Sequence, residues 1–301
     1  EPAPNRLYHN DGHLHFTNVA ERTGVVQPTH NGFVCFFTDY NNDGWPDILT
    51  TSLADWNSTV EGLRQGYAPP SLKAVHPDAS RLFRNNGDGT FTEVTWSARL
   101  YHPMGTMGAG VGDLDNDGCV DFYFGTGDPQ MSRLEPNRFF HNNCDGTFSD
   151  LTNYVGFARP GNKGHGVAFI DIDDDGDLDL YAQLGGHYPG DWAANAFYRN
   201  RKGNRNHWLQ IELTGVKSNR FAVGAQVTAK MQGLTVYREV KGSSGFGSTD
   251  PYRVHLGLAQ HDVVDSLEIR WPSGLVQRFT GVAANQALAL REGAESYTKL
   301  R

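Results

Sequence analysis

Thirteen carboxylates crowd three stretches of nine residues: Asp39-Tyr-Asn-Asn-Asp-Gly-Trp-Pro-Asp47, Asp113-Leu-Asp-Asn-Asp-Gly-Cys-Val-Asp121 and Asp171-Ile-Asp-Asp-Asp-Gly-Asp-Leu-Asp179. All three fit D-x-[DN]-x-D-G-x-x-D. Like charges this close repel unless a cation sits among them, and an all-oxygen donor set suits a hard cation, Ca2+ before Mg2+. Positions 1, 3 and 5 turn inward, the glycine at 6 permits a sharp turn, the carbonyl at 7 adds a donor and the aspartate at 9 closes the shell. The expected ligands are Asp39, Asn41, Asp43 and Asp47 with the carbonyl of Trp45; Asp113, Asp115, Asp117 and Asp121 with that of Cys119; and Asp171, Asp173, Asp175 and Asp179 with that of Asp177. Asp174, at position 4, is expected to point outward and stay free.

The flanking residues decide what carries these loops. Phe33–Phe37, Gly108–Gly112 and His165–Ile170 precede them, and Ile48–Thr51, Phe122–Phe124 and Leu180–Ala182 follow. Short apolar and aromatic runs bounded by Gly and Asp read as strands, so each loop is expected to be the turn of a β-hairpin. An EF-hand would need a glutamate at position 12 and helices on both sides. Position 12 is Thr50, Phe124 and Ala182, which excludes it.

A second motif recurs out of phase with the first: Asn5-Arg-Leu-Tyr-His-Asn10, Ser80-Arg-Leu-Phe-Arg-Asn85, Asn137-Arg-Phe-Phe-His-Asn142 and Asn195-Ala-Phe-Tyr-Arg-Asn200. Turns such as Asn86-Gly-Asp-Gly-Thr-Phe91 and Asn143-Cys-Asp-Gly-Thr-Phe148 follow it. Asn-Gly and Asp-Gly tolerate the positive φ of tight hairpins. Units starting near 5, 80, 137 and 195 thus read as hairpin, linker, strand, metal loop and strand, the pattern of a propeller blade. The longer first period reflects an insertion at 53–79 holding Pro69-Pro70 and an Asn57-Ser-Thr59 glycosylation sequon.

Composition agrees with this reading. No apolar run approaches the ~20 residues that span a membrane. The net charge of −8 is concentrated in the loops, and three bound Ca2+ would bring it to −2. The acidity therefore reads as metal binding, with no nucleic-acid footprint. Of three cysteines, Cys35 lies in an apolar strand and is expected in the core. Cys119 and Cys144 lie in turns of neighbouring repeats, either as separate thiols or as a disulfide. The opening Glu-Pro-Ala-Pro resembles a trimmed end. Weak calcium sites need the calcium found outside cells, so a secreted, periplasmic or cell-surface protein is expected.

From about 205 the style changes. His207–Leu213, Gly224–Lys230, Leu234–Val240, Tyr252–Leu256, Val264–Trp271 and Gln286–Leu290 read as strands of a compact, sandwich-like β-domain. The loops and the N-R-L-[FY]-x-N-N-G-D-G-T-F segments resemble FG-GAP (VCBS-type) repeats. Ser218-Asn-Arg220, Gly224-Ala225, Gly242-Ser-Ser-Gly245, His255-Leu-Gly-Leu258 and Trp271-Pro-Ser-Gly274 resemble the ASPIC/UnbV domain of the cartilage acidic protein-like family. The resemblance implies an all-β, calcium-stabilised propeller over 1–204, a β-domain over 205–295 and a tail at 296–301. A seven-bladed ring at ~60 residues per blade needs about 420 residues. Three complete units imply a partial or small ring, or one completed by another chain.

Other chemistry is weaker. His13 and His15 are expected on one strand face, and His165 precedes the third loop. Gly242-Ser-Ser-Gly-Phe-Gly-Ser248 lacks the Gly-Lys-Ser/Thr ending of a phosphate loop. Two functions remain. One is a binding or scaffolding module meeting another protein chain, a second copy or a glycan. The other is an enzyme, or an accessory of the UnbV type, with its site on the propeller face or in the C-terminal domain.

Overall fold

The structure, a computed structural model, describes residues 3–27, 31–65, 75–127, 135–157, 163–186, 188–201 and 205–300. The first unit supplies a two-stranded hairpin, β1 (Tyr8–Gly12) and β2 (His15–Asn18), then a turn of helix, α1 (Ala20–Thr23). Its tight turn is His13-Leu14, both at positive φ, so His13 and His15 do not share a strand face; His15 Nδ1 meets Asp11 Oδ2 at 2.8 Å.

Each acidic-loop motif is a hairpin turn, as its flanks predict. Blade 1 holds β3 (Gly32–Thr38) and β4 (Asp47–Ser52) around the first loop. After helix α2 (Trp56–Gln65) it adds β5 (Arg81–Asn85) and β6 (Phe91–Glu93). The helix lies in the insertion and carries the sequon in its first turn, where Ser58 N donates to Asp55 Oδ1 (2.8 Å). Pro69-Pro70 lies outside the described residues. Blade 2 is β7 (Thr106–Gly112), β8 (Asp121–Thr126), β9 (Arg138–Asn142) and β10 (Phe148–Asp150). Blade 3 is β11 (Gly164–Ile170), β12 (Asp179–Leu184) and β13 (Ala196–Tyr198). Each sheet is antiparallel and runs in sequence order from the strand before its loop.

Aromatic side chains cement the blades. Phe122, Phe124, Phe140 and Phe148 of blade 2 bury against Leu49, Leu82 and Tyr40 of blade 1. On its other face, Tyr123 and Phe139 bury against Val167, Phe169 and Leu180 of blade 3. β7 and β11 approach so closely that a Cβ on Gly108 would lie 1.7 Å from the His165 carbonyl oxygen. Only glycine fits there.

The C-terminal domain packs two four-stranded sheets face to face. Here β14 is Trp208–Thr214, β15 Gln226–Met231, β16 Leu234–Glu239, β17 Val254–Gly257, β18 Val263–Arg270, β19 Val276–Ala283, β20 Gln286–Arg291 and β21 Thr298–Lys299. The sheet orders are β17-β14-β20-β21 and β16-β15-β18-β19. Leu209, Ile211, Val227, Leu267, Ile269 and Trp271 fill the space between. Taken together, the sheets give an all-β, five-bladed propeller arrangement.

The C-terminal domain also meets the inner strands of all three repeats. Lys241 Nζ donates to Phe37 O (2.6 Å), Gly245 abuts Ala109 O, and Phe169 N donates to Asp250 Oδ1 (2.8 Å). The glycine-rich 242–248 segment is thus packing material against β7 and β11. One expectation fails: Cys35 is exposed, not in the core. The period of two puts Cys35 and Phe37 on one face of β3, and the first hairpin unit covers only the outer part of that face, where Leu7, Ala20 and Val25 meet Ile48 and Phe83.

Candidate metal centres

The three loops have one backbone. Position 4 (Asn42, Asn116, Asp174) has φ of 56, 58 and 55°, and the glycine at position 6 has φ of 89, 97 and 93°. A side chain at position 6 would be strained, which explains the glycine. The aspartate at position 1 accepts the N–H of that glycine: Asp39 from Gly44 (2.8 Å), Asp113 from Gly118 (3.0 Å) and Asp171 from Gly176 (2.9 Å). Position 5 accepts from the N–H at position 7: Asp43 from Trp45 (2.8 Å), Asp117 from Cys119 (2.8 Å) and Asp175 from Asp177 (3.0 Å). These bonds aim the carboxylates inward. Asp113, Asp115 and Asp117 offer ligand atoms within 4.8 Å of one another, as do Asp171, Asp173 and Asp175. Asn41 at position 3 gives the first loop one carboxylate fewer.

Position 9 ties loop to blade. Asp47 accepts from Tyr40 N (3.2 Å) and Asn85 N (2.7 Å), Asp121 from Leu114 N (3.1 Å) and Asn142 N (2.9 Å), and Asp179 from Ile172 N (3.4 Å) and Asn200 N (2.7 Å). Each aspartate thereby fastens its loop to the last asparagine of the second motif, Asn85, Asn142 or Asn200, which explains why the two motifs recur together.

Position 4, expected to point outward, joins the loops to one another. Asn42 Nδ2 donates to Gly118 O of the second loop (2.9 Å), and Asn116 Nδ2 to Gly176 O of the third (3.0 Å). Asp174 is not free: Arg253 Nη1 donates to its Oδ1 (2.7 Å). The loops are thus chained to one another, and the C-terminal domain joins at every link. Arg238 Nη2 donates to Gly118 O (3.1 Å) and approaches Asp113 Oδ2 (3.4 Å). His255 Nε2 lies 2.6 Å from Asn116 Oδ1, and its Nδ1 accepts from Gln210 (3.3 Å), which also donates to Asp171 (2.7 Å). Burial, then the Arg238 charge, pulls His255 down to about 3, so it docks as a neutral ring. Beside the loops a cleft of about 1110 Å3 opens, lined among others by Asp39, Asp113 and Asp171 and by Lys241 and Arg253.

Burial dominates the electrostatics. It pushes Asp39 up to about 6, Asp117 to about 6 and Asp47 to about 7, and raises Asp113 well above the carboxylate range. Asp113 is 1% exposed, and its Oδ1 has no hydrogen-bond partner among the described residues; Asp115 Oδ1 is in the same position. Buried carboxylate oxygens without donors are what a bound cation would satisfy, so the residues present fit one.

Cys119 and Cys144 form a disulfide, Cα–Cα 5.7 Å, which pins position 7 of the second loop to the β9–β10 turn. Closing a chain separation of 25 residues contributes about 3.5 kcal/mol in the chain-entropy view. Reduction should lower the melting temperature by roughly 5–10 °C. Calorimetry with and without reductant checks this, and coincident curves would refute it.

Comparison with known proteins agrees with the motifs. Residues 74–124 and 126–182 match the FG-GAP-like repeat family, and residues 215–296 match the ASPIC and UnbV family. Cartilage acidic protein 1 of Xenopus tropicalis is 27% identical over 285 residues, covering 92% of this chain and 39% of that protein. Its Mus musculus counterpart is 27% identical over 280 residues, covering 91% and 39%. The chain thus spans about two fifths of the length of these curated relatives.

Proposed function

We propose that this chain, an FG-GAP-like repeat protein with a C-terminal ASPIC/UnbV domain, is a calcium-stabilised extracytoplasmic binding or scaffolding module. Asp113 carries the reading: a carboxylate 1% exposed, with one oxygen unpartnered, beside Asp115 and Asp117. One Ca2+ per loop would be held by positions 1, 3, 5 and 9 and the carbonyls of Trp45, Cys119 and Asp177. The ions would stiffen the turns on which the C-terminal domain sits, and their chemistry here is structural. The Cys119–Cys144 disulfide suits an oxidising compartment outside the cytoplasm. The relatives, too, are named for acidity. Elemental analysis after dialysis against calcium should find three ions per chain; fewer than one would remove the reading.

The binding face we favour is that of the first hairpin. Tyr8 (53%) and Phe16 (53%) are exposed on β1 and β2, and grouped exposed aromatics mark interaction surfaces. The partner is another protein chain, self-association being the simplest case; a glycan is the variant reading. Sedimentation velocity should show concentration-dependent association, which Tyr8→Ser with Phe16→Ser abolishes. A monomer at every concentration would rule out self-association.

A further inference from the structure

Each blade has a backward and a forward face, and strand register sets which residues each carries. The backward pairs are Ile48 with Phe83, Phe122 with Phe140 and Leu180 with Tyr198. One step along, the forward pairs are Leu49 with Leu82, Tyr123 with Phe139 and Tyr181 with Phe197. Forward packs on backward: Leu49 and Leu82 bury against Phe122 and Phe140, and Tyr123 and Phe139 against Leu180 and Tyr198. The first hairpin obeys the same rule, its Leu7 packing forward on Ile48 and Phe83. Tyr8 opposite Asn18 and Phe16 opposite Asn10 repeat the register of Phe140 opposite Asp150 and Phe148 opposite Asn142, which turns them backward. Two faces therefore stay open at opposite ends of the stack: the hairpin's backward face, with Tyr8 and Phe16, and the forward face of blade 3, with Tyr181 (41%) and Phe197 (47%). A hydrogen bond accompanies the covered seams. Asn142 Nδ2 donates to Tyr40 O (2.8 Å) and Asn200 Nδ2 to Leu114 O (2.6 Å), each acceptor being position 2 of the preceding loop. The matching groups at the open ends are Asn10 Nδ2 and Ile172 O, and neither has a partner among the described residues.

We propose that the forward face of blade 3 is a docking surface for a second copy of this chain, joined head to tail. Tyr8 and Phe16 of one copy pack on Tyr181 and Phe197 of the next, and Asn10 Nδ2 donates to the carbonyl of Ile172 in that next copy. The chain itself supplies the template, because it makes this seam between blades 1 and 2 and again between blades 2 and 3. The two open faces are the two halves of that seam, so a second copy continues an interface the fold already uses. Aromatic side chains on both halves bury large apolar area when the faces meet. Since head and tail are different surfaces, the contact is heterologous and repeats until a ring closes or a filament grows. Sheets meet face to face in it, with no strand added to an edge. The inference rests on the hairpin face proposed above and names the surface that receives it.

Sedimentation velocity of the intact chain tests this by complementation. A head variant, Tyr8→Ser with Phe16→Ser, and a tail variant, Tyr181→Ser with Phe197→Ser, should each run as monomers at concentrations where the unaltered chain associates. Mixed, they should give a one-to-one dimer and nothing larger, because one sound head meets one sound tail. Asn10→Asp keeps the oxygen that accepts from Gly12 N and removes only the donor, so it should weaken association by roughly tenfold. That exposed polar exchange keeps the test decisive even where a double variant fails to fold. A tail variant that associates like the unaltered chain, a mixture that stays monomeric, or unchanged association in Asn10→Asp would overturn the head-to-tail contact and leave the hairpin face standing. An unaltered chain that is monomeric at every concentration would refute self-association through the hairpin itself, an outcome separate from these.

Discussion

In chelator, the protein should become less stable as the pH rises from about 4 to 7, the reverse of ordinary acid denaturation. The sign follows from burial. Asp39, Asp117 and Asp47 sit at about 6, 6 and 7 in the folded chain against 3.8 for an ordinary aspartate, and Asp113 is also raised. A carboxyl whose folded value lies above its unfolded value keeps its proton longer when folded. Its stabilisation is complete below the unfolded value and is lost as the pH rises through the folded one. Asp39 and Asp117 are partly exposed, so solvent screens part of this, whereas Asp47 and Asp113 are buried. Calcium should reverse the trend, because a bound cation favours the ionised form. At pH 7 we expect calcium to raise the melting temperature by about 10 °C or more, and Asp117→Ala to remove part of that gain. Melting curves at pH 7 that coincide with and without chelator would refute the structural role.

Gly108→Val should leave little folded protein. The new Cβ would lie 1.7 Å from His165 O, 2.5 Å from its carbonyl carbon and 3.1 Å from its Cα. These are backbone atoms in β11, so relief requires separating two blades rather than turning a side chain. That would open the cluster of Tyr123, Phe139, Val167 and Phe169. A cost of about 4–5 kcal/mol or more falls in the exceptional range for one substitution. Gly32→Ala is the control, since the nearest atom to its Cβ is Thr51 O at 4.0 Å. If Gly108→Val expresses and melts like that control, the close packing of β7 on β11 is wrong.

The sequence exposes local requirements well. Positions 1, 5 and 6 of each loop are demanded by bonds within nine residues, and the strands on either side follow from alternation. Position 4 was opaque for the opposite reason: Asn42 answers Gly118 and Tyr237, and Asp174 answers Arg253, partners set by packing rather than by spacing. Cys35 looks like core because strands are read as buried on their apolar face, yet the burial of that face depends on which sheet lies over it. Likewise β19 (Val276–Ala283), with polar residues on both faces, carries too weak an alternation to announce itself. Arg238 and His255 lie in ordinary strand patterns, and only their seat on the loops gives them a role.

The contacts of residues 241–250 with the inner strands carry a consequence for how the chain avoids misassembly. An edge strand with unpaired backbone groups is a template for pairing with another molecule. β3, β7 and β11 each present such an edge, and the C-terminal domain meets all three with a lysine ammonium, a glycine and an aspartate rather than with a strand. Such caps cannot propagate a ladder. The domain thus guards the repeats against cross-chain pairing, and repeats released from it would gain three sticky edges at once.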